Sequence, residues 1–164
     1  MTQTRRTHLK LLSAGAAAMA FNPITANSST STVREVQMVN DHPEDDKQLM
    51  VFYPGIVRAQ PGDIIRFLSV DSNHNTQSFD NMLPPGAEPW KSKLGKDFDL
   101  TVPVDGAYGY FCTPHKSWGM VGLLLVGDVS VNYDAIKAER QRGKAKANFA
   151  ALFEQADAML TGEA

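Results

Sequence analysis

The segment CTPHKSWGM, residues 112–120, contains the only cysteine of the 164-residue chain. Within nine residues, Cys112, His115 and Met120 supply a thiol, an imidazole and a thioether. Such soft and borderline ligands suit copper in both of its oxidation states. The segment therefore predicts a metal site on one short connection, which one further imidazole would complete.

The histidines supply a candidate for that imidazole. His8 lies in an N-terminal segment that we expect to be removed, and His42 lies in an acidic stretch that predicts a solvated side chain. His74, in SNHN, directly follows the predicted strand DIIRFLSV. In a β-sandwich the end of that strand can lie beside the Cys112 loop, which makes His74 the leading candidate.

Other chemistries fit these residues less well. A structural zinc site normally needs four Cys or His ligands, and a multicopper oxidase needs a further histidine cluster. Cys112 and His115 are conceivable as a nucleophile and its base, which would make the protein a thiol enzyme. Pro114 stands between them on a tight loop, however, and no clear third group orients the base. An enzyme is therefore not the favoured interpretation.

The N-terminal residues 1–26 have the pattern of an export signal. The paired Arg5 and Arg6 precede a short apolar stretch and then small residues, and no acidic residue occurs before Glu35. The arginine pair resembles the twin-arginine type of signal, although His8 departs from that pattern. Without this segment, 13 basic and 18 acidic residues remain, a net charge of −5. That balance gives no indication of nucleic-acid binding.

The remaining residues, 27–164, predict a single domain of short strands followed by a helical tail. Several apolar or alternating segments at roughly ten-residue spacing indicate an antiparallel sandwich. Residues 41–46 and 80–97 predict loops, and helical periodicity begins near Asn132, a possible N-cap. We expect a helix over 132–142, a break at Gly143 and a second helix beyond it. In that second helix, Phe149, Phe153, Ala156 and Leu160 share one face that would pack on the sandwich. The predicted strands are 33–39, 49–52, 56–59, 63–70, 98–102, 107–112 and 120–126.

The combination of SNHN, CTPHKSWGM and MLPPGAEPWKSKLG resembles the pseudoazurins, small blue copper proteins of the cupredoxin superfamily. The resemblance covers about residues 33–160. It implies an all-β, eight-stranded Greek-key cupredoxin sandwich with two C-terminal α-helices. It also implies one copper ion, cycling between Cu(I) and Cu(II), with His74, Cys112, His115 and Met120 as ligands.

The resemblance further implies which residues surround the copper. Asn75 would tie the two ligand loops together, with its backbone N–H facing the Cys112 sulfur, and Thr113 and Pro114 would lie beside the ligands. An apolar patch around His115 would be formed by Met50, Leu83, Pro114 and Trp118. The partner-docking surface would consist of Trp118 and of the lysines Lys91, Lys93, Lys96 and Lys116, which supply its positive rim.

The family function implies a periplasmic, monomeric one-electron carrier rather than an enzyme. Its acceptor would be a copper nitrite reductase in denitrification, and its donor a cytochrome or another periplasmic protein. The sequence departs from the family in its acidic 41–46 loop and in Lys116-Ser117-Trp118. A copper-storage or delivery protein is the alternative.

Overall fold

The structure is a computed structural model that describes residues 30–162. The predicted export signal, residues 1–26, lies outside the described residues. Within 30–162, no helix combines the length and the apolar character that crossing a membrane requires.

Within residues 30–162, eight strands form two four-stranded sheets, which confirms the predicted sandwich. The first sheet has the order β2-β1-β4-β6, and the second has the order β3-β8-β7-β5. Among the described residues, two α-helices, α1 and α2, follow the last strand. The strands are β1 (Val33–His42), β2 (Asp45–Tyr53), β3 (Ile56–Ala59), β4 (Ile64–Ser69), β5 (Gln77–Ser78), β6 (Phe98–Thr101), β7 (Gly106–Phe111) and β8 (Val121–Val126).

Pairing within the sheets differs from the sequence-based prediction in two respects. The sandwich is not wholly antiparallel, because β1 pairs with β4 and β3 pairs with β8 in parallel. The predicted loop 41–46 is largely strand, since β1 and β2 continue until His42 pairs with Asp45. The two-residue β5 was not predicted, because two residues are too few to show an alternating pattern.

The second sheet is buried on both faces, which explains the uninterrupted apolar run VGLLLV of β8. Tyr108, Tyr110 and Cys112 share the face that points toward the first sheet, as their alternation predicts. The opposite face of the second sheet packs Phe111 and Leu123 against the helical tail. The copper-ligand candidates therefore sit at one end of a strand pair that is packed on both sides.

The helical tail is shorter at its start than predicted. Helix α1 spans only Tyr133–Lys137, and helix α2 spans Gly143–Thr161. Gly143 does not merely interrupt the helices but begins α2 with a φ of 60°. Asn132 makes no side-chain cap; its side chain instead accepts from Ala107 N at 2.7 Å and donates to Ala107 O at 2.8 Å. The predicted N-cap thus ties the tail to β7.

Candidate metal centre

The connection between β7 and β8 brings Cys112, His115 and Met120 together. Cys112 directly follows β7, and its backbone N–H donates to Met120 O at 3.0 Å. The Met120 N–H donates in turn to His115 O at 3.2 Å. Cys112 and Met120 are 0% and 1% exposed, whereas His115 is partly exposed. The three residues thus share one hairpin connection, as their spacing predicts.

A short 3-10 turn, Lys116–Trp118, separates His115 from Met120 and ends at Gly119. Gly119 has a φ of 84°, a backbone conformation that side chains with a Cβ rarely adopt. Its carbonyl accepts from Nδ2 of Asn148 in α2 at 2.8 Å. A Cβ on Gly119 would lie 2.6 Å from the same Asn148 nitrogen. The helix is therefore packed directly on the loop that carries the candidate ligands.

His74 reaches this loop from the other sheet. It lies five residues beyond the end of β4, and its carbonyl accepts from Gly95 N at 2.8 Å. Its side chain is fully buried. The Gly95 hydrogen bond fixes the backbone of SNHN against the long loop that contains Lys91, Lys93 and Lys96.

The three nitrogen and sulfur donor atoms face one another. Cys112 Sγ lies 3.8 Å from His74 Nδ1 and 3.6 Å from His115 Nδ1, and the two Nδ1 atoms are 3.1 Å apart. All three lie within 4.8 Å of one another. With metal–nitrogen and metal–sulfur bonds of about 2.0 and 2.3 Å, donors around one shared ion have separations of this size. Two imidazoles, a thiolate and a nearby thioether therefore fit a type 1 copper ion.

Asn40, near the end of β1, is a site residue that the sequence interpretation missed. Its Oδ1 lies 3.1 Å from His74 Nε2 and, as an amide oxygen, accepts the ring hydrogen. This leaves the lone pair of Nδ1 free to bind metal. The Asn40 backbone N–H donates to Asp71 Oδ2 at 2.7 Å. Only the parallel pairing of β1 with β4 could have indicated this contact, and the sequence pattern did not show it.

Asn75 links the two ligand-bearing segments through two hydrogen bonds and makes a third to the long loop. Its Oδ1 accepts from Thr113 N at 2.8 Å, and its Nδ2 donates to Thr113 Oγ1 at 3.1 Å. The same Nδ2 donates to Ser92 O at 3.3 Å. Pro114 is exposed beside this link. The side chain of Asn75 thus joins the segment that carries His74 to the segment that carries Cys112.

Burial has the largest effect on the pKa values of the three donor side chains. It lowers the pKa of His74, which His115 lowers further and the Asp71 carboxylate raises. Burial also lowers the pKa of His115, so both imidazoles stay neutral and able to coordinate at neutral pH. For Cys112, burial raises the thiol pKa, while the backbone N–H groups of Asn75 and His115 oppose that shift. Metal binding would therefore have to displace the thiol proton.

The predicted docking residues fall on two sides of the site. Lys91, Lys93 and Lys96 are exposed on the long loop beside His74. Lys116 lies on the other side, with Nζ 4.6 Å from the ring centre of Phe79 and 4.4 Å from that of Phe111.

The predicted apolar patch is partly open to solvent. Trp118 is 47% exposed, and it lines a cavity of about 440 Å³ together with Met50. Leu83 is partly buried against the cluster that contains Cys112. Pro114 is exposed next to His115.

Together, the two-sheet sandwich and the clustered donors define a cupredoxin with a type 1 copper site. Residues 36–127 match the family described as copper binding proteins of the plastocyanin/azurin family. By its relatives and by its fold, the chain belongs to the pseudoazurin family.

The relatives cover most of the chain. It is 41% identical to pseudoazurin of Paracoccus pantotrophus over 139 residues, which cover 85% of this chain and 91% of the relative. It is 34% identical to pseudoazurin of Methylorubrum extorquens, covering 85% and 93%. A solved pseudoazurin structure from Sinorhizobium meliloti superimposes with a TM-score of 0.72 at 34% identity, covering 77% of this chain and 97% of that one.

Proposed function

We propose that the protein is a one-electron carrier whose copper ion is held by His74, Cys112, His115 and Met120. The observation that carries this proposal is the cluster of three buried or half-buried donor atoms within 4.8 Å of one another. Copper supplies the electron by changing between Cu(I) and Cu(II). The residues supply a fixed set of donors, because backbone hydrogen bonds tie Cys112, His115 and Met120 together.

Burial supports a carrier rather than an enzyme. His74, Cys112 and Met120 are at most 1% exposed, so the edge of the His115 ring is the part of the donor set nearest to solvent. An electron can leave through such an edge, whereas a substrate would have to displace a buried ligand. The apolar surface with Trp118 and the exposed Lys91, Lys93, Lys96 and Lys116 support docking of a protein partner there.

For the cellular role, we propose a monomeric carrier in the periplasm. Its export signal would be residues 1–26, and the functional domain residues 27–164. It would take electrons from a cytochrome or another periplasmic donor and pass them to a copper nitrite reductase in denitrification. The twin-arginine-like pattern and the family membership support this assignment.

The decisive experiment is a visible spectrum of residues 27–164 with Cu(II). We expect a strong thiolate-to-copper absorption that disappears on reduction and returns on oxidation, and that Cys112→Ser abolishes. A colourless copper complex would overturn the proposal. Copper that passes readily to a chelator would instead favour storage or delivery, and a hydrolytic activity lost on Cys112 alkylation would favour a thiol enzyme.

The nitrite reductase assignment needs a separate measurement. Stopped-flow mixing of the reduced protein with a copper nitrite reductase should bleach the reductase's oxidised copper signal as the blue absorption appears. A protein that shows the reversible blue absorption but transfers no electron to the reductase would keep the carrier function and lose this partner.

A further inference from the structure

Asn40 has a backbone N–H that lies beyond the end of the sheet pairing. The parallel pairing of β1 with β4 stops at Met38 and Ser69, and Asn40 stands further along β1. In a continuing ladder, a backbone carbonyl of the neighbouring strand would accept from this N–H. Here the Asp71 carboxylate accepts instead, with Oδ2 at 2.7 Å from Asn40 N. A side chain thus completes the edge of the sheet at the point where His74 lies.

The backbone of Asp71 is itself fixed on both sides. Its N–H donates to Met38 O at 3.2 Å, and its carbonyl accepts from Ser69 Oγ at 3.0 Å. Asp71 is partly buried, and within residues 30–162 no cation forms an ion pair with it. The carboxylate therefore carries a fixed negative charge that no ion pair offsets in this part of the chain.

The turn that begins at Asp71 also carries His74, which meets the side chain of Asn40. The chain bends between them at Asn73, whose φ of 68° is a conformation that asparagine adopts more readily than most residues. Asn40 Oδ1 lies 3.1 Å from His74 Nε2 and accepts the ring hydrogen. Asn40 is therefore held at its backbone by Asp71 and holds His74 with its side chain.

The hydrogen bond between Asp71 and Asn40 is a strong one, because an ionised acceptor makes a hydrogen bond about twice as strong as a neutral one does. Without the carboxylate, the Asn40 N–H would lack its acceptor and the residue would be free to shift. A shift of the Asn40 backbone moves Oδ1 away from His74 Nε2. Asp71 thereby controls which ring nitrogen carries the hydrogen and which one is left for a metal.

The charge of Asp71 has a separate effect on the redox equilibrium. Two hydrogen bonds in series connect the carboxylate, through Asn40, to the His74 ring. The copper centre is more positive as Cu(II) than as Cu(I), so a fixed anion nearby stabilises the oxidised form more. Removing that anion therefore favours the reduced form and raises the reduction potential.

We propose that Asp71 is a positioning residue of the copper site. Its carboxylate fixes Asn40, which keeps the hydrogen of His74 on Nε2 and leaves Nδ1 for copper, and its charge favours Cu(II). The proposal deepens the carrier function proposed above and rests on it. Asp71 touches neither the metal nor the electron path, and it acts through Asn40.

The first test compares copper retention by the reduced proteins in competition with a Cu(I) chelator. Asp71→Ala should weaken retention about tenfold, because a hydrogen bond to a charged group is lost. Asp71→Asn keeps an oxygen that can accept from Asn40 N and should weaken it less than about twofold. The matched control is Asp97→Asn: Asp97 is exposed and accepts from Ser69 N at 2.8 Å, but it makes no bond to Asn40. Equal retention by Asp71→Ala and wild type would contradict the proposal.

The second test needs no copper. Nitrogen-15 NMR of the copper-free protein identifies which nitrogen of the His74 ring carries the hydrogen. We expect the hydrogen on Nε2 in wild type and in Asp71→Asn, and a mixture of the two tautomers in Asp71→Ala. Circular dichroism checks that each variant is folded. An unchanged tautomer in folded Asp71→Ala would overturn the positioning role.

The third test measures the charge by voltammetry. Asp71→Asn and Asp71→Ala should both raise the reduction potential, because both remove the anion. Asp97→Asn removes the same charge from an exposed position, where salt and water screen it, and should leave the potential nearly unchanged. A potential that Asp97→Asn raises as much as Asp71→Asn would show that the link to Asn40 has no part in the effect.

A double-mutant cycle tests whether Asp71 acts through Asn40. The variant N40A/D71A should hold Cu(I) no more weakly than N40A alone, because the path to the ring is already broken. A further loss of about tenfold would mean that Asp71 acts by another route, against the proposal.

The failure of this proposal can be told from the failure of the carrier function. If wild type forms the reversible blue absorption but Asp71→Ala matches it in retention and in tautomer, the positioning role fails and the carrier function stands. If wild type forms no blue absorption, the carrier function fails, and the tautomer of the copper-free protein still decides whether Asp71 positions the His74 ring.

Discussion

At the scale of single residues, the two histidines of the site differ: the His74 ring is held by a hydrogen bond, and the His115 ring is partly exposed to solvent. His74 is buried and donates through Nε2 to Asn40, whereas His115 is half exposed. Cys112 is fully buried between them. The cysteine motif and the histidine inventory suffice to predict these donors. Asn40 could not be predicted, because its role depends on the parallel pairing of two strands distant in sequence.

Replacing Asn40 with Ala should weaken copper retention about 10- to 100-fold, since the His74 ring loses the acceptor that orients it. Competition with a chelator measures this loss. Asn40→Asp is the matched control: it keeps an acceptor oxygen and should retain copper far better. Equal loss in the two variants would show that the hydrogen bond to His74 is not what matters.

Replacing Pro114 with Ala should raise the reduction potential. Proline has no N–H to offer the Cys112 sulfur, whereas alanine adds a donor that draws electron density from the thiolate and disfavours Cu(II). Voltammetry of the variant checks this, with the exposed and distant Pro103→Ala as control. An unchanged or lowered potential would refute the argument.

At the scale of elements, β7 shows what alternation can and cannot predict. It puts Tyr108, Tyr110 and Cys112 on one buried face, but it does not say whether each hydroxyl finds a partner. Tyr108 donates to Val104 O at 2.7 Å. The Tyr110 hydroxyl is fully buried and, within the described residues, has no hydrogen-bond partner. Its ring lies against Gly122, where a Cβ would collide with it.

These two tyrosines give opposite predictions for the same substitution. Tyr110→Phe removes a buried, unpaired hydroxyl and should raise the free energy of unfolding by about 1 kcal/mol. Tyr108→Phe removes a satisfied hydrogen bond and should lower it by about 1 kcal/mol. Urea unfolding of the two variants measures both. Changes of the same sign would mean that the Tyr110 hydroxyl is paired in solution.

The helical tail shows the limit of periodicity. The apolar spacing of Phe149, Phe153, Ala156 and Leu160 predicted one helical face packed on the sandwich. The first three are buried in α2, whereas Leu160, near the end of the helix, is 41% exposed. The pattern also predicted a helix over 132–142, of which only Tyr133–Lys137 is helical. Asn132 was assigned to a cap because local sequence cannot show that a buried backbone pair on β7 competes for its side chain.

At the scale of the whole molecule, Asp63 links the residues just before β1 to the turn that begins at Gln60. Its carboxylate accepts from Thr32 N and Gln60 N, both at 2.9 Å, and from Arg34 Nε at 3.4 Å. The Gln60 and Thr32 N–H groups, with Arg34, lower the pKa of Asp63 against the opposing effect of burial. These contacts therefore stabilise the fold only while the carboxyl is ionised.

This depression of the pKa predicts acid sensitivity. The stabilisation is complete above the ordinary aspartate value of about 3.9, and it is lost as the pH falls from there through the lower folded value. Asp63→Asn should therefore be less stable than wild type at pH 6, and the difference should shrink toward pH 2. Urea unfolding of the copper-free proteins measures it. A difference that stays constant with pH would contradict the role of the charge.

The hydrogen bond from Asn148 to Gly119 has a consequence for electron transfer, because a complete set of metal donors also needs a rigid loop to carry it. A chain that stopped before Gly143 would retain every sulfur and imidazole named above, together with all eight strands. It would nevertheless lack the support that α2 gives to the turn beyond His115, so that bend would be free to rearrange whenever the ion changed oxidation state. Slow electron exchange would follow from a missing helix that contributes no atom to the metal.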